Sequence, residues 1–287
     1  MVNEFAGVTA SDSTAIRMQW DKVAGGWSKS SAIIRPWLQQ ATQAMLSMGG
    51  VKAGSHVLDV AAGAGDQTLD IAERVGSRGS VLATDLSPGI LEFALQRATA
   101  AGHSRVEIRV SDGENLLVED GRFDAVVCRL GLMLFNDPQQ GLREMARVLK
   151  PGGGACTMVF GAPQSNPCVA ILMSTALRHA GMAPRAPYEP GGLLSLGQPG
   201  LINTMFKEAG LRDVATNKIA APFRLPTVKD YMKFIRTSAG PVVQIVHRLE
   251  PIKAAAAWDD METQLAQFQT PDGWEGPNEL LLTAGRR

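Results

Sequence analysis

The sequence predicts an α/β fold, a doubly wound and mainly parallel sheet of seven strands. Three observations predict it. Short apolar runs alternate with helical stretches from residue 55 to residue 160, the pattern of strands joined by crossover helices. One run, FDAVVC at 123–128, is almost continuously apolar, as suits a strand buried on both faces. The first strand also breaks into a loop of small residues only, AAGAG at 61–65, before a helical pattern begins.

Taken in order, residues 1–14 read as a loose polar start. Residues 14–48 carry Ile16, Trp20, Val23, Ile34, Trp37, Leu38 and Met45 at helical spacing. Gly25 and Gly26 are expected to separate two helices there, with Pro36 in the first turn of the second. The first strand, around Val57–Val60, is followed by a helix for which Asp66 is the expected cap. A second strand, SVLATD, ends at Asp85, and Pro88 opens the next helix. RVEIRV (105–110) is the third strand and FDAVVC the fourth. Asp137 and Pro138 start a helix that PGGG (151–154) stops, and ACTMVF (155–160) is the fifth. Residues 161–200, rich in Pro, Gly and Met, read as an insertion with one helix near 169–179. A helix at 199–209, a strand at 211–220 and helices at 227–237 and 242–268 follow, the last with a possible break at Pro251. The final strand is 279–284. No linker marks a second independent domain.

Totals narrow the function. The chain has 287 residues, with 28 basic and 28 acidic side chains, so no overall positive field favours nucleic acid. Its three cysteines, Cys128, Cys156 and Cys168, lack metal-type or disulfide-type spacing. No apolar run approaches the roughly 20 residues of a membrane span, and the N-terminus lacks a signal-peptide pattern. A reduced cytoplasm is the expected compartment, with no metal.

Strand ends carry the chemistry. In open α/β sheets ligands sit beyond the carboxyl ends of the strands. Here those ends bear Asp59 with the small-residue loop, then Asp85, Asp112, and Cys128 with Arg129. Asp85 lies about 20 residues after the loop, where a carboxylate can accept from both hydroxyls of a ribose. Asp112 could accept from an exocyclic amine such as that of adenine, and Leu86 could pack on the base. The loop offers no Lys for phosphates and no Walker pattern. A nucleoside without phosphates fits better.

These motifs, VLDVAAGAGD (57–66), ATDLSPGIL (83–91), SDGENL (111–116), FDAVVCRLGLMLFNDP (123–138) and LREMARVLKPGG (142–153), together resemble class I S-adenosylmethionine-dependent methyltransferases. The likeness is greatest to the ubiquinone/menaquinone C-methyltransferase-like (type 11) small-molecule subgroup, and covers about 52–160. It implies a Rossmann-like sheet with an antiparallel last strand, plus N-terminal helices and helical insertions forming a lid. By that resemblance residues 1–50 are a lid segment, 51–160 the cofactor-binding core, and 161–287 the rest of the same domain. The resemblance puts Ala61, Gly63 and Gly65 on the methionine part of the cofactor and Asp85 on its ribose. Leu86, Asp112, Gly113 and Glu114 would meet the adenine. Cys128 and Arg129 would lie near the amino-acid part, and Asp59 would contact it directly or through water. Ala61 stands where the wider family has Gly, a substitution familiar in this subgroup.

The acceptor site is less legible. Trp27, Met133, Phe135 and Tyr188 are candidate pocket residues, and His179 and His247 weak candidates for a general base. Apolar, Met-rich segments favour a hydrophobic or aromatic small-molecule methyl acceptor, such as a phenol, quinol or polyketide-like metabolite. A homodimer stays open. Two rival readings remain: an NAD-dependent oxidoreductase, although Thr68 replaces the third glycine of its fingerprint, and a protein that binds S-adenosylmethionine without methylating.

Overall fold

The computed structural model describes residues 28–184 and 186–287, together with Arg17, Asp21 and 24–26. Trp27 lies outside the described residues, as does most of the expected lid segment before it. The seven-stranded sheet forms. Its order is β3-β2-β1-β4-β5-β10-β6, where β1 is His56–Val60, β2 Ser80–Asp85, β3 Val106–Val110, β4 Phe123–Arg129, β5 Leu149–Phe160, β6 Arg212–Ala220 and β10 Glu279–Arg286. β1 to β5 pair in parallel, and β10 runs antiparallel to both β5 and β6. The central strands are buried nearly end to end, with Val57, Leu58, Val126 and Val127 at 0% exposure, because helices cover both faces. The strand order reverses between β1 and β4, which opens a crevice at their carboxyl ends.

Helix α1 (Ser31–Met48) lies against β10, β5 and β4 and buries Ile34, Leu38, Ala41, Met45 and Leu46. These positions recur at three- and four-residue steps, the stripe of a core-facing helix. Pro36 sits inside α1, not in its first turn. Residues 24–26 are themselves helical, and the turn falls at Ser30, so the glycine pair does not separate two helices. Helix α2 (Asp66–Val75) is preceded by left-handed Gly65, and Asp66 is its first residue, not its cap. Instead the Asp66 carboxylate accepts from Ser31 and, at 3.0 Å, from Arg97 of α3 (Pro88–Ala100). Asp137 does cap α4 (Pro138–Val148), accepting the Gln140 N–H at 2.9 Å.

The second half departs further from expectation. β5 begins at Leu149, six residues before the expected ACTMVF run, and takes in the PGGG segment through a register shift against β4. Helices α5 (Pro167–His179), α6 (Leu201–Glu208), α7 (Val228–Ser238), α8 (Gly240–Val246) and α9 (Pro251–Leu265) follow. The 242–268 helix is broken at Pro251, as expected, and Pro251 starts its second part. A small sheet not expected from the sequence, β7 (Phe223–Leu225), β9 (Gly273–Gly276) and β8 (Gln269–Thr270), closes one end. Aromatic packing holds it on the helices. Trp37 stacks on Phe223 at 3.8 Å, and Tyr231 stacks on buried Trp274 at 4.4 Å.

Helix α7 starts with a capping box, in which Thr227 Oγ1 accepts from Asp230 N–H and Asp230 accepts from Thr227 N–H at 3.1 Å. Thr227→Ala removes one half of that exchange. It is expected to lower unfolding free energy by about 1 kcal/mol, as measured by urea denaturation.

Candidate functional site

A cavity opens at the carboxyl ends of β1, β2 and β4. It is lined on one side by Ala61, Gly63, Asp85, Leu86, Gly113 and Arg129, and on the other by residues of α1, α5, α7 and α8. The loop after β1 shapes the first side. Ala61, Gly63 and Gly65 all take left-handed backbone, with φ of 54°, 56° and 86°. A Cβ on Gly65 would come within 2.7 Å of the Ala94 backbone, so α2 and α3 can approach only over a glycine. Leu130, just past β4, is also left-handed (φ 57°) and also lines the cavity. Strained non-glycine residues of this kind gather at functional sites.

Asp85 organises the turn. Its Oδ2 accepts the Gly63 N–H and its Oδ1 the Ser87 N–H, each at 3.0 Å. Burial raises its carboxyl above the ordinary carboxylate range, and those backbone donors oppose the rise. Asp59 is fully buried beneath the loop and does not line the cavity. Thr68 Oγ1 donates to it at 2.6 Å and Gln67 Nε2 at 3.1 Å. Burial pushes its carboxyl up to about 6 against both hydrogen bonds and nearby Arg129. Thr68, at 0% exposure, thus uses its hydroxyl at the position where a dinucleotide fingerprint needs a third glycine.

Arg129 ends β4 and reaches the cavity at 8% exposure, held by Thr42 of α1 at 3.0 Å. Desolvation lowers its guanidinium from the ordinary value, and Asp66, Asp59 and Asp70 raise it. A buried cation facing a cavity suits an anionic group there. Gly113 lies under the ring of Phe135, which a Cβ would meet at 2.2 Å. Phe135 and Met133 both line the cavity.

The other candidates stand back from it. Asp112 Oδ1 accepts the Glu114 N–H at 2.9 Å and braces its own loop, while Glu114 accepts the Asn136 N–H at 2.6 Å and ties that loop to the segment after β4. Cys128 is wholly buried and its thiol is pushed up to about 12 by desolvation, which keeps it protonated. Tyr188 is half-buried in the loop after α5 and does not line the cavity. His179 sits 2.8 Å from Asp260, which it and Arg178 hold down at about 2. His247 is exposed at the end of α8. Neither histidine lines the cavity.

Sequence reasoning did not single out Trp37, Gln67, Tyr231, Phe234 and Asn278 as lining residues. The donor set on the first side fits a nucleoside bearing an amino acid. Asp85 offers a carboxylate, Leu86 and Gly113 an apolar surface, and Arg129 a cation.

Comparison with known proteins shows the family and the fold. The model of the ubiE/COQ5 methyltransferase family matches residues 16–175. The ubiquinone/menaquinone biosynthesis C-methyltransferase UbiE of Pseudomonas fluorescens (strain Pf0-1) is 37% identical over 132 residues, 46% of this chain. The chain spans about half the length of that relative, 50%. Among solved structures, a putative methyltransferase from Bacillus halodurans C-125 aligns with a TM-score of 0.58 at 21% identity, covering 85% of this chain and 97% of its own. The cyclase SpnF aligns at 0.54 and 21% identity, covering 86% and 79%. At such identities the likeness concerns the fold alone. Among the described residues no helix is long and apolar enough to cross a membrane.

Proposed function

The chain belongs to the ubiE/COQ5 methyltransferase family, and from that premise we propose that it transfers a methyl group from S-adenosylmethionine to a hydrophobic or aromatic small molecule. One observation carries the reading: a single cavity joins a nucleoside-type donor set to an apolar, aromatic-walled chamber. When bound, the cofactor supplies an electrophilic methyl on a sulfonium, whose sulfur leaves with the bonding electron pair.

The chain's own residues then bind, orient and exclude water. Asp85 accepts from the ribose hydroxyls while the Gly63 and Ser87 N–H groups fix its carboxylate. Leu86 and Gly113 hold the adenine. Ala61 and Gly63 leave room for the methionine part, whose carboxylate pairs with Arg129. Phe135, Phe160, Tyr231 and Phe234 surround the acceptor. Alignment of acceptor and methyl in a dry chamber supplies the acceleration.

Among the described lining residues only Asp85, Arg129 and Tyr231 titrate. Burial drives the Tyr231 phenol well above its ordinary value, which makes it a hydrogen-bond donor and not a base. A reducing compartment, the cytoplasm, suits three free and buried cysteines.

Calorimetry is expected to show heat of binding with S-adenosylmethionine and none with NAD. Labelled cofactor should then pass its methyl to members of a phenol and quinol panel. Binding of NAD in place of S-adenosylmethionine would overturn the reading.

A further inference from the structure

Asn278 is 5% exposed, lines the cavity, and has neither its carboxamide oxygen nor its nitrogen hydrogen-bonded among the described residues. Buried amides are ordinarily paired, because burying one without a partner is costly. The backbone around it is firmly placed. Its carbonyl accepts the Ala221 N–H at 2.8 Å. The neighbouring Glu279 N–H donates to Asn166 Oδ1 at 3.0 Å, and Asn166 Nδ2 returns a hydrogen bond to Glu279 O at 3.1 Å. The side chain is thus held in an apolar wall by a fixed strap between β9 and β10, with its hydrogen-bonding capacity unspent.

Other polar groups of the same wall are already engaged. Trp37 Nε1 donates to Ala221 O at 2.7 Å, and Ser238 Oγ meets Ser30 Oγ at 2.7 Å. Tyr231 adds a hydroxyl, whereas a carboxamide presents a donor and an acceptor side by side. The lining residues from β7, α5, α7 and α8 carry no formal charge, so nothing in that wall would neutralise an ionic acceptor.

We infer that the Asn278 carboxamide is the specificity-determining anchor of the acceptor chamber, and that it orients a neutral, apolar ring compound through a hydroxyl or carbonyl oxygen. Asn278 is a positioning residue in this scheme: it holds the acceptor and takes no proton. The inference rests on the reading of the cavity as a methyl-transfer site.

The test is equilibrium binding of 1-naphthol and naphthalene to the full chain saturated with S-adenosylhomocysteine. Wild type is expected to prefer 1-naphthol by roughly ten-fold or more, because a site built to pair a hydroxyl discriminates against its absence. Asn278→Leu, of similar volume, is expected to erase that preference by weakening 1-naphthol alone, with affinity for S-adenosylhomocysteine and for naphthalene unchanged. A merely structural role for Asn278 would lower both naphthalene compounds together. Equal binding of the two by wild type, binding of neither, or a preference that survives in Asn278→Leu would each overturn the inference while leaving the cofactor reading intact. Failure of S-adenosylhomocysteine itself to bind would instead overturn that reading. Where Asn278→Leu does not fold, Asn278→Ala is read in the same way, and equal binding of the two compounds by wild type overturns the inference without either variant.

Discussion

Asp85→Ala is expected to weaken S-adenosylmethionine binding about ten- to a hundred-fold, roughly 1–3 kcal/mol. The loss is large because one carboxylate serves both ligand and loop. It accepts the Gly63 and Ser87 N–H groups in the free protein, and in the proposed complex it would also accept from the ribose. Alanine leaves two backbone donors without that acceptor and removes the charge-assisted bonds to the diol. Asp85→Asn separates the two parts. Its carboxamide oxygen can still accept one backbone N–H, so loop stability should fall less while the diol contacts remain weakened. Calorimetry reads the affinity and thermal unfolding without ligand reads the loop. Undiminished affinity in Asp85→Ala would remove the ribose assignment, whatever the melting temperature does.

The core was legible because its signals are local. β1, β2 and β4 carry short apolar runs, β3 alternates apolar and charged residues, and the loop at 61–65 announces itself by lacking any bulky side chain. Asp85 was found by its distance from that loop. Signals that depend on distant partners were not. β8 and β9 are two and four residues long, and their sheet packs on the helices through distant pairs such as Trp274 on Tyr231. Asn278 reads as an ordinary loop residue until β9 and β10 pin it in an apolar wall. His179 looks like a free base in sequence, yet folding sets it against Asp260, 81 residues away. Asp66 occupies a capping position by spacing, but left-handed Gly65 shifts it into the helix, where Arg97 and Ser31 claim its carboxylate. Glycine pairs mislead likewise, for Gly26 lies so near Thr237 O that a Cβ would approach to 2.3 Å. Close packing, not a break, accounts for that glycine.

Asp59→Asn is expected to make the ligand-free protein more stable at neutral pH, with the gain growing between pH 4 and pH 6. The carboxyl is raised from 3.8 to about 6 in the folded chain, chiefly by desolvation. A raised acid binds its proton more tightly folded than unfolded. Its stabilising contribution is therefore complete below the unfolded value and lost as pH rises through the folded one. Over that interval the loss amounts to about 3 kcal/mol at 1.36 kcal/mol per unit. Asparagine carries no such titration. It also rearranges the bonds from Thr68 and Gln67, but that cost does not vary with pH. Urea denaturation of both proteins across pH 4–7 isolates the term as the change in their difference. A constant difference would mean that Asp59 titrates alike in folded and unfolded chains. A rising one would identify a carboxylate retained at a cost in stability. Beneath the loop its negative charge adds to that of Asp85 and favours a cationic ligand in the adjoining cavity. On that account Asp59→Asn should bind S-adenosylmethionine more weakly even as it resists urea better.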